Sequence, residues 1–191
     1  CTPVISNSVT ITTDQVLINA IISDYNGFDI SCPNGADGSI TLTTTSGLPP
    51  FTALWSGGST GLARINLAEG NYQVTITDQI GCTTTQVFDM VAPAELDISF
   101  DPTGPVCFGE RNGFITINDI SGGAGPFNLL LNNVTQGIVD ALPKVINQLS
   151  SGMYNIGVED ANGCISDVDV DVPSPAPLMV NLGRDTTISF G

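Results

Sequence analysis

The chain has 191 residues, 41% of them hydrophobic, with 19 acidic residues against 4 basic ones, a net charge of −15 and no histidine. That balance excludes a nucleic-acid or anionic-membrane binder, which needs clustered Lys and Arg, and it removes the commonest general base and a favoured metal ligand. The apolar content supports packed cores, and no apolar run is long enough to cross a bilayer as a helix.

In chain order, "CTPVISNSVTIT" comes first. It is similar to "CTTTQVFDMVAP" from Cys82 and "CISDVDVDVPSP" from Cys164. Residues 1–13 therefore read as the last strand of a preceding unit, and Cys1 as a trailing cysteine whose partner lies outside the chain. Any signal peptide would lie upstream or have been removed. A first full unit runs over 14–93, through "VLINAII", "SCPNGADGSITLTTT", "PPFTALW" and "LAEGNYQVTITDQIGC". A second runs over 94–173, through "ELDISF", "VCFGERNGFITINDISGGAGPFNLLL" and "LSSGMYNIGVEDANGC". Cys32 matches Cys107, Gly38 matches Gly113, Pro50 matches Pro126 and Phe51 matches Phe127. The second unit is longer by an insertion around "QGIVDALPKVIN". Residues 174–191 open a further domain.

The segments "SITLTTT", "YQVTITD", "FITIND", "YNIGVED" and "SDVDVDV" alternate with period two and are rich in Val, Ile and Thr, the pattern of half-buried strands. "SGLPP", "SGG" and "GGAGP" punctuate them as turns. The nearest approach to a helix, "IVDALPKVINQL", holds Pro143. The expected class is all-β, as tandem immunoglobulin-like antiparallel β-sandwich repeats.

The phrase Leu-x-x-Gly-x-Tyr occurs twice, as Leu67, Gly70, Tyr72 and as Leu149, Gly152, Tyr154. Before an alternating strand it predicts a tyrosine corner, with Leu as a core plug and Gly as the turn. Asp78 and Asp160 then end the strand, and Asn162-Gly163 suits a tight hairpin. Each unit owns two cysteines, which predicts disulfides Cys32–Cys82 and Cys107–Cys164. A loop of that length would stabilise a unit by about 4 kcal/mol. Metal binding is the rival reading for four cysteines, poorly served by a chain with no C-x-x-C and no histidine. Disulfides would place the protein outside the cytoplasm.

"CPNGADGSIT" and "CFGERNGFIT", followed by "GLPPF" or "GAGPF" and by the Leu-x-x-Gly-x-Tyr phrase, resemble the SprB-type repeat. That repeat occurs in gliding-motility adhesins and other giant surface proteins of the Bacteroidota. The resemblance covers nearly the whole chain, as two full copies and two partial ones. It implies an Ig-like sandwich, type IX secretion and cell-surface display, and carries no active site to transfer. The second unit departs from the first at Leu131, where the first has Trp55, and at its insertion. The tail "VNLGRDTTISFG" looks like the opening strand of an Ig-like or PKD-like domain.

Individual sites divide as follows. "GGSTG" at 57–61 matches G-x-S-x-G but lacks a histidine partner and reads as a loop. Asp167, Asp169 and Asp171 alternate along a strand as a solvated face. Asp78 and Asp160, with Asp37, Glu110 and Asp119 nearby in sequence, are candidate calcium ligands, and calcium is the one cofactor considered. Trp55 is either a core residue over the sandwich disulfide or a sugar platform, and its setting in "FTALW" favours the core. Asn133 in "NVT" and Thr186 in "DTT" are glycosylation candidates. The expected function is a non-enzymatic extracellular stalk or filament repeat of a large surface adhesin. Its partners are neighbouring repeats, a homo-oligomeric filament or surface polysaccharide, with no nucleic acid and no membrane insertion. The alternatives are a calcium-dependent carbohydrate- or cell-binding module and an accessory domain of a secreted hydrolase.

Overall fold

The computed structural model describes residues 15–177. They form thirteen β-strands, with no helix among the described residues. Contacts divide the chain into two units. One comprises Cys1–Glu95 with Ala161–Cys164, the other Leu96–Asp160 with Ile165–Gly191.

The first unit is built from β1 (Ile18–Ile22), β2 (Gly38–Thr44), β3 (Thr52–Trp55), β4 (Ala63–Leu67), β5 (Gly70–Thr77) and β6 (Thr83–Met90). One sheet has the order β1-β2-β4 and the other β3-β5-β6, all antiparallel. In immunoglobulin lettering these are A-B-E and C-F-G. Alternation along each strand sends one set of side chains inward. Ile40 and Leu42 of β2 and Leu67 of β4 meet Ala53 and Trp55 of β3, Val74 and Ile76 of β5, and Phe88 and Met90 of β6.

Trp55 is 1% exposed, with its indole N–H donating to the Gly61 carbonyl at 2.8 Å. Phe88 packs 6.2 Å from it, and the Arg64 guanidinium lies 5.6 Å from its ring centre. It is a core residue with its polar handle satisfied, which removes it as a sugar platform. The expected disulfide beneath it is absent, and aliphatic side chains fill that space.

The second unit repeats the plan with β7 (Asp97–Thr103), β8 (Gly113–Ser121), β9 (Asn128–Leu131), β10 (Val134–Ile138), β11 (Lys144–Leu149), β12 (Gly152–Glu159) and β13 (Ile165–Val172). Its sheets are β11-β8-β7 and β10-β9-β12-β13. Ile115, Ile117, Leu129, Leu149, Ile156, Val158, Val170 and Val172 form its core. The insertion supplies the extra edge strand β10, every residue of which is exposed. Asn132 and Asn133 join β9 to β10, both at positive φ (50° and 62°). That is a two-residue turn of the kind asparagine tolerates. Asn133 is therefore explained by backbone geometry, and it is exposed at the turn.

The repeated phrase does the same work in both units. Leu67 and Leu149 are buried, and the residue before each, Asn66 or Gln148, has positive φ at a register shift in the ladder. Gly70 and Gly152 stand at φ 142° and 139°. There a side chain would be strained whatever the space around it. Tyr72 donates its hydroxyl to the Ala68 carbonyl at 3.0 Å, and Tyr154 to Ser150 at 3.1 Å. Each tyrosine thus ties the turn preceding its strand.

Truncating Trp55 to Ala should lower the unfolding free energy by about 3–5 kcal/mol in urea titrations. Leu131→Ala, at the equivalent but half-buried position, should cost less. An equal loss at both would mean that Trp55 does not centre the first core.

Candidate functional site

The candidate site is the pair of loops that carry cysteine. The leading loops, which open β2 and β8, share their geometry. Ser31 N–H donates to Asp37 Oδ1 at 3.1 Å, and Val106 N–H donates to Asn112 Oδ1 at 3.0 Å. The Cys32 carbonyl accepts from Gly35 N–H at 3.0 Å, and the Cys107 carbonyl from Glu110 N–H at 3.3 Å.

The trailing loops cap the hairpins β5–β6 and β12–β13. Each hairpin pairs eight residues a side, from Gly70↔Met90 to Thr77↔Thr83 and from Gly152↔Val172 to Glu159↔Ile165. Asp78 Oδ1 accepts from Ile80 N–H at 3.1 Å and Cys82 N–H at 2.8 Å, while its Oδ2 accepts from Leu48 N–H at 3.2 Å. Asp160 Oδ2 accepts from Ala124 N–H, the matching residue, at 2.9 Å. Gly81 and Gly163 both take positive φ, 88° and 84°. Each aspartate therefore ties its hairpin tip to the loop before β3 or β9, and Asp78 also shapes its own tip. Their carboxylates are engaged by backbone, and among the described residues no group of three or more His, Cys, Asp or Glu is gathered to hold a metal ion. Glu110 accepts from Asn112 instead, at 2.7 Å.

The disulfide expectation needs correction. Cys32 is bonded to Cys164, 132 residues away, with Cα atoms 5.7 Å apart. Cys82 and Cys107 are free thiols. The reason is strand length. Asp29 exchanges hydrogen bonds with Val91, placing the leading loop beside the end of β6. Cys82 sits at the other end of β6, eight residues away. At about 3.3 Å per residue that is about 26 Å, far beyond the span a disulfide tolerates. The same hairpin length separates Cys107 from Cys164. Leading and trailing cysteines of one repeat lie at opposite ends of its strands, so the bond crosses from one repeat to the next. Cys1 and Thr186 lie outside the described residues.

Around the bond the tip Ala161–Cys164 belongs to the first unit. Asn162 Nδ2 donates to the carbonyls of Ser31 at 3.0 Å and Tyr25 at 3.2 Å. Its Oδ1 accepts from Asn26 Nδ2 at 2.6 Å. Asn162 is thus more than a turn former, a second role that its place in "ANGC" does not reveal. The available signal was that the first tip has Ile80 at the same place. Asp167, Asp169 and Asp171 are exposed, and Asn155 Nδ2 donates to the first two at 2.8 and 2.9 Å. "GGSTG" forms a turn between β3 and β4 rather than a strand-to-helix elbow.

Burial pushes the Asp78 carboxyl up, but the N–H groups of Leu48, Cys82, Ile80 and Gly81 outweigh it and hold the pKa below 3.8. A carboxylate lowered in the folded state stabilises fully above its unfolded pKa, and the effect is lost as pH falls through the lower folded value.

Comparison with known proteins follows this geometry. The family model described as SprB repeat matches residues 28–60 and 99–136. Each match takes in a leading cysteine loop, β2 with β3 or β8 with β9, and so bears out the resemblance seen in the residues. No curated protein matches. Similar solved structures include the fibronectin(III)-like modules of Clostridium thermocellum CbhA, at 16% identity over 80% of this chain and 92% of that one, TM-score 0.34. The amphioxus IgVJ-C2 molecule is 18% identical over 66% and 89%, TM-score 0.30. The N-terminal four Ig domains of Dscam1 isoform 9.44 are 13% identical over 72% and 40%, TM-score 0.29. No function is transferred from them.

Two outcomes are expected. Alkylation of the unreduced protein followed by peptide mapping should label Cys82 and Cys107 and recover a Cys32–Cys164 cross-linked peptide. Asp78→Asn should lower Tm at pH 7, and the gap from the unmodified protein should close as pH falls below about 3.8. A gap that does not narrow as pH falls below about 3.8 would assign the loss to something other than the charged carboxylate.

Proposed function

We propose that this chain is a tension-bearing, non-enzymatic segment of an extracellular stalk or filament in a large surface adhesin. The observation that carries this reading is the Cys32–Cys164 bond. Pulled from its ends, the chain transmits force from residue 32 straight to residue 164. The residues between, including segment 83–106 with β6, the join between the units and β7, are shielded from extension. Pairing within each repeat would leave that segment outside every closed loop. A bond of this kind persists in oxidising surroundings, which supports a site of action outside the cytoplasm.

The SprB-type match supports display at the surface of a Bacteroidota cell, after type IX secretion and in the service of gliding motility or adhesion. The net charge of −15 suits a long secreted polymer that must stay soluble and apart from its neighbours. In this reading the neighbouring repeats are the partners, and any contact with polysaccharide or other cells belongs to a tip elsewhere. Buried Trp55 and the absence of histidine from the chain favour it over a sugar-binding or catalytic module.

Single-molecule pulling tests it. Without reductant, unfolding should release almost nothing from the 132-residue loop. Adding dithiothreitol should lengthen the fully extended chain by about 450 Å, at roughly 3.3–3.6 Å per residue. Full extension without reductant would overturn the proposal.

A further inference from the structure

Among the described residues Cys82 and Cys107 are free, each in the loop geometry of a bonded one. Cys107 occupies the leading-loop fold of Cys32, down to the two matching hydrogen bonds. Cys82 occupies the tip fold of Cys164, with the same five-residue loop, the same glycine conformation and the same aspartate tie. Their surroundings differ in one respect. Ser31 and Cys32 are half-buried, with the tip carrying Asn162 and Cys164 against them. Val106 and Phe108, on either side of Cys107, are 79% and 73% exposed. Ile80, which holds the place of Asn162 in the first tip, is 64% exposed. Cys107 is exposed and Cys82 is half-buried against the first core, and each has a large exposed apolar group within two residues. Scattered exposed apolar residues mean little alone, but these sit on two loops whose counterparts are already joined.

We propose that Cys82 and Cys107 make the same leading-to-trailing bond with further repeats of this type. Cys82 takes the leading cysteine of a repeat before it, and Cys107 takes the trailing cysteine of a repeat after it. Successive bonds then overlap, since Cys107 lies inside the loop closed by Cys32–Cys164. Every linker falls within a closed loop, and the array is stapled continuously rather than repeat by repeat. Exposed Ile80 is the apolar counterpart of Val106 and Phe108, so two copies of this chain can stand in for adjacent pairs of repeats.

The chemistry is thiol–disulfide exchange. One cysteine thiolate attacks a sulfur of a disulfide oxidant and displaces one thiol. The second thiolate attacks the mixed disulfide and displaces the other. Two protons leave the cysteines, and the two electrons end in the two thiols of the reduced oxidant. In the cell a thiol–disulfide oxidoreductase supplies the oxidising disulfide, and in the test oxidised glutathione does.

This inference rests, like the stalk reading, on the tandem arrangement of repeats and on the Cys32–Cys164 bond. The test uses the 191-residue chain with Cys1→Ser throughout. Cys82→Ser and Cys107→Ser are made separately in that background, each leaving one of the two thiols. Thermal melting confirms that both fold, and Cys82→Ala replaces Cys82→Ser if the latter is destabilised. Equimolar mixing with oxidised glutathione should give a heterodimer at least tenfold more abundant than either self-dimer, with a Cys82–Cys107 cross-linked peptide. The chain retaining both thiols should build a ladder. Self-dimers as abundant as the heterodimer, or glutathione adducts alone, would overturn the proposal. Pulling reads the Cys32–Cys164 bond by itself, so that outcome would leave the stalk reading intact.

Discussion

The eight-residue hairpin that ends each repeat carries its trailing cysteine to the far end of the sandwich from the leading one. An extended strand cannot shorten, because its rise per residue is set by backbone geometry. The two cysteines of one repeat are therefore held at opposite ends of a strand about 26 Å long, however well the core packs. That separation excludes a bond within a repeat, and Cys32 is bonded to Cys164 instead.

The consequence is energetic as well as mechanical. On the chain-entropy argument a bond closing a loop of 132 residues stabilises the folded state by about 5 kcal/mol, against about 4 for a loop within one repeat. Loop length enters only logarithmically, so the gain in stability is slight. The larger difference is which residues the bond encloses. A bond within a repeat protects that repeat alone, whereas a bond between repeats also encloses the segment joining them.

The two repeats reach one fold with different interiors. The first centres on Trp55, with Phe88 and Arg64 packed about its ring. The second has half-buried Leu131 at that position, and an aliphatic core built on Ile115, Ile117 and Ile156. What stays constant is the frame: the buried Leu, the Gly at positive φ, the tyrosine bonded four residues back, and the aspartate that ties the hairpin tip to the loop before it. Those devices act through the backbone, so they tolerate a change of core side chains. The insertion is accommodated as an added edge strand because an edge has free backbone groups to pair and no neighbour to displace.

Much of this was legible in the sequence. Period-two alternation marked the strands, and the doubled phrase marked the corner at Tyr72 and Tyr154 and the hairpin that follows. Local chemistry sufficed there, since a turn or an alternating strand is specified by residues a few positions apart. The pairing of Cys32 with Cys164 was not legible. Counting two cysteines per repeat suggests that they join each other, and nothing in their spacing says that a rigid hairpin keeps them apart. Nor did "ANGC" announce that Asn162 would bond to Tyr25, Asn26 and Ser31, because those partners lie more than 130 residues away. Residue pattern alone determined the repeats, their strands and their turns. Only the tertiary structure decided which sulfurs meet, because that depends on the length and direction of strands in three dimensions.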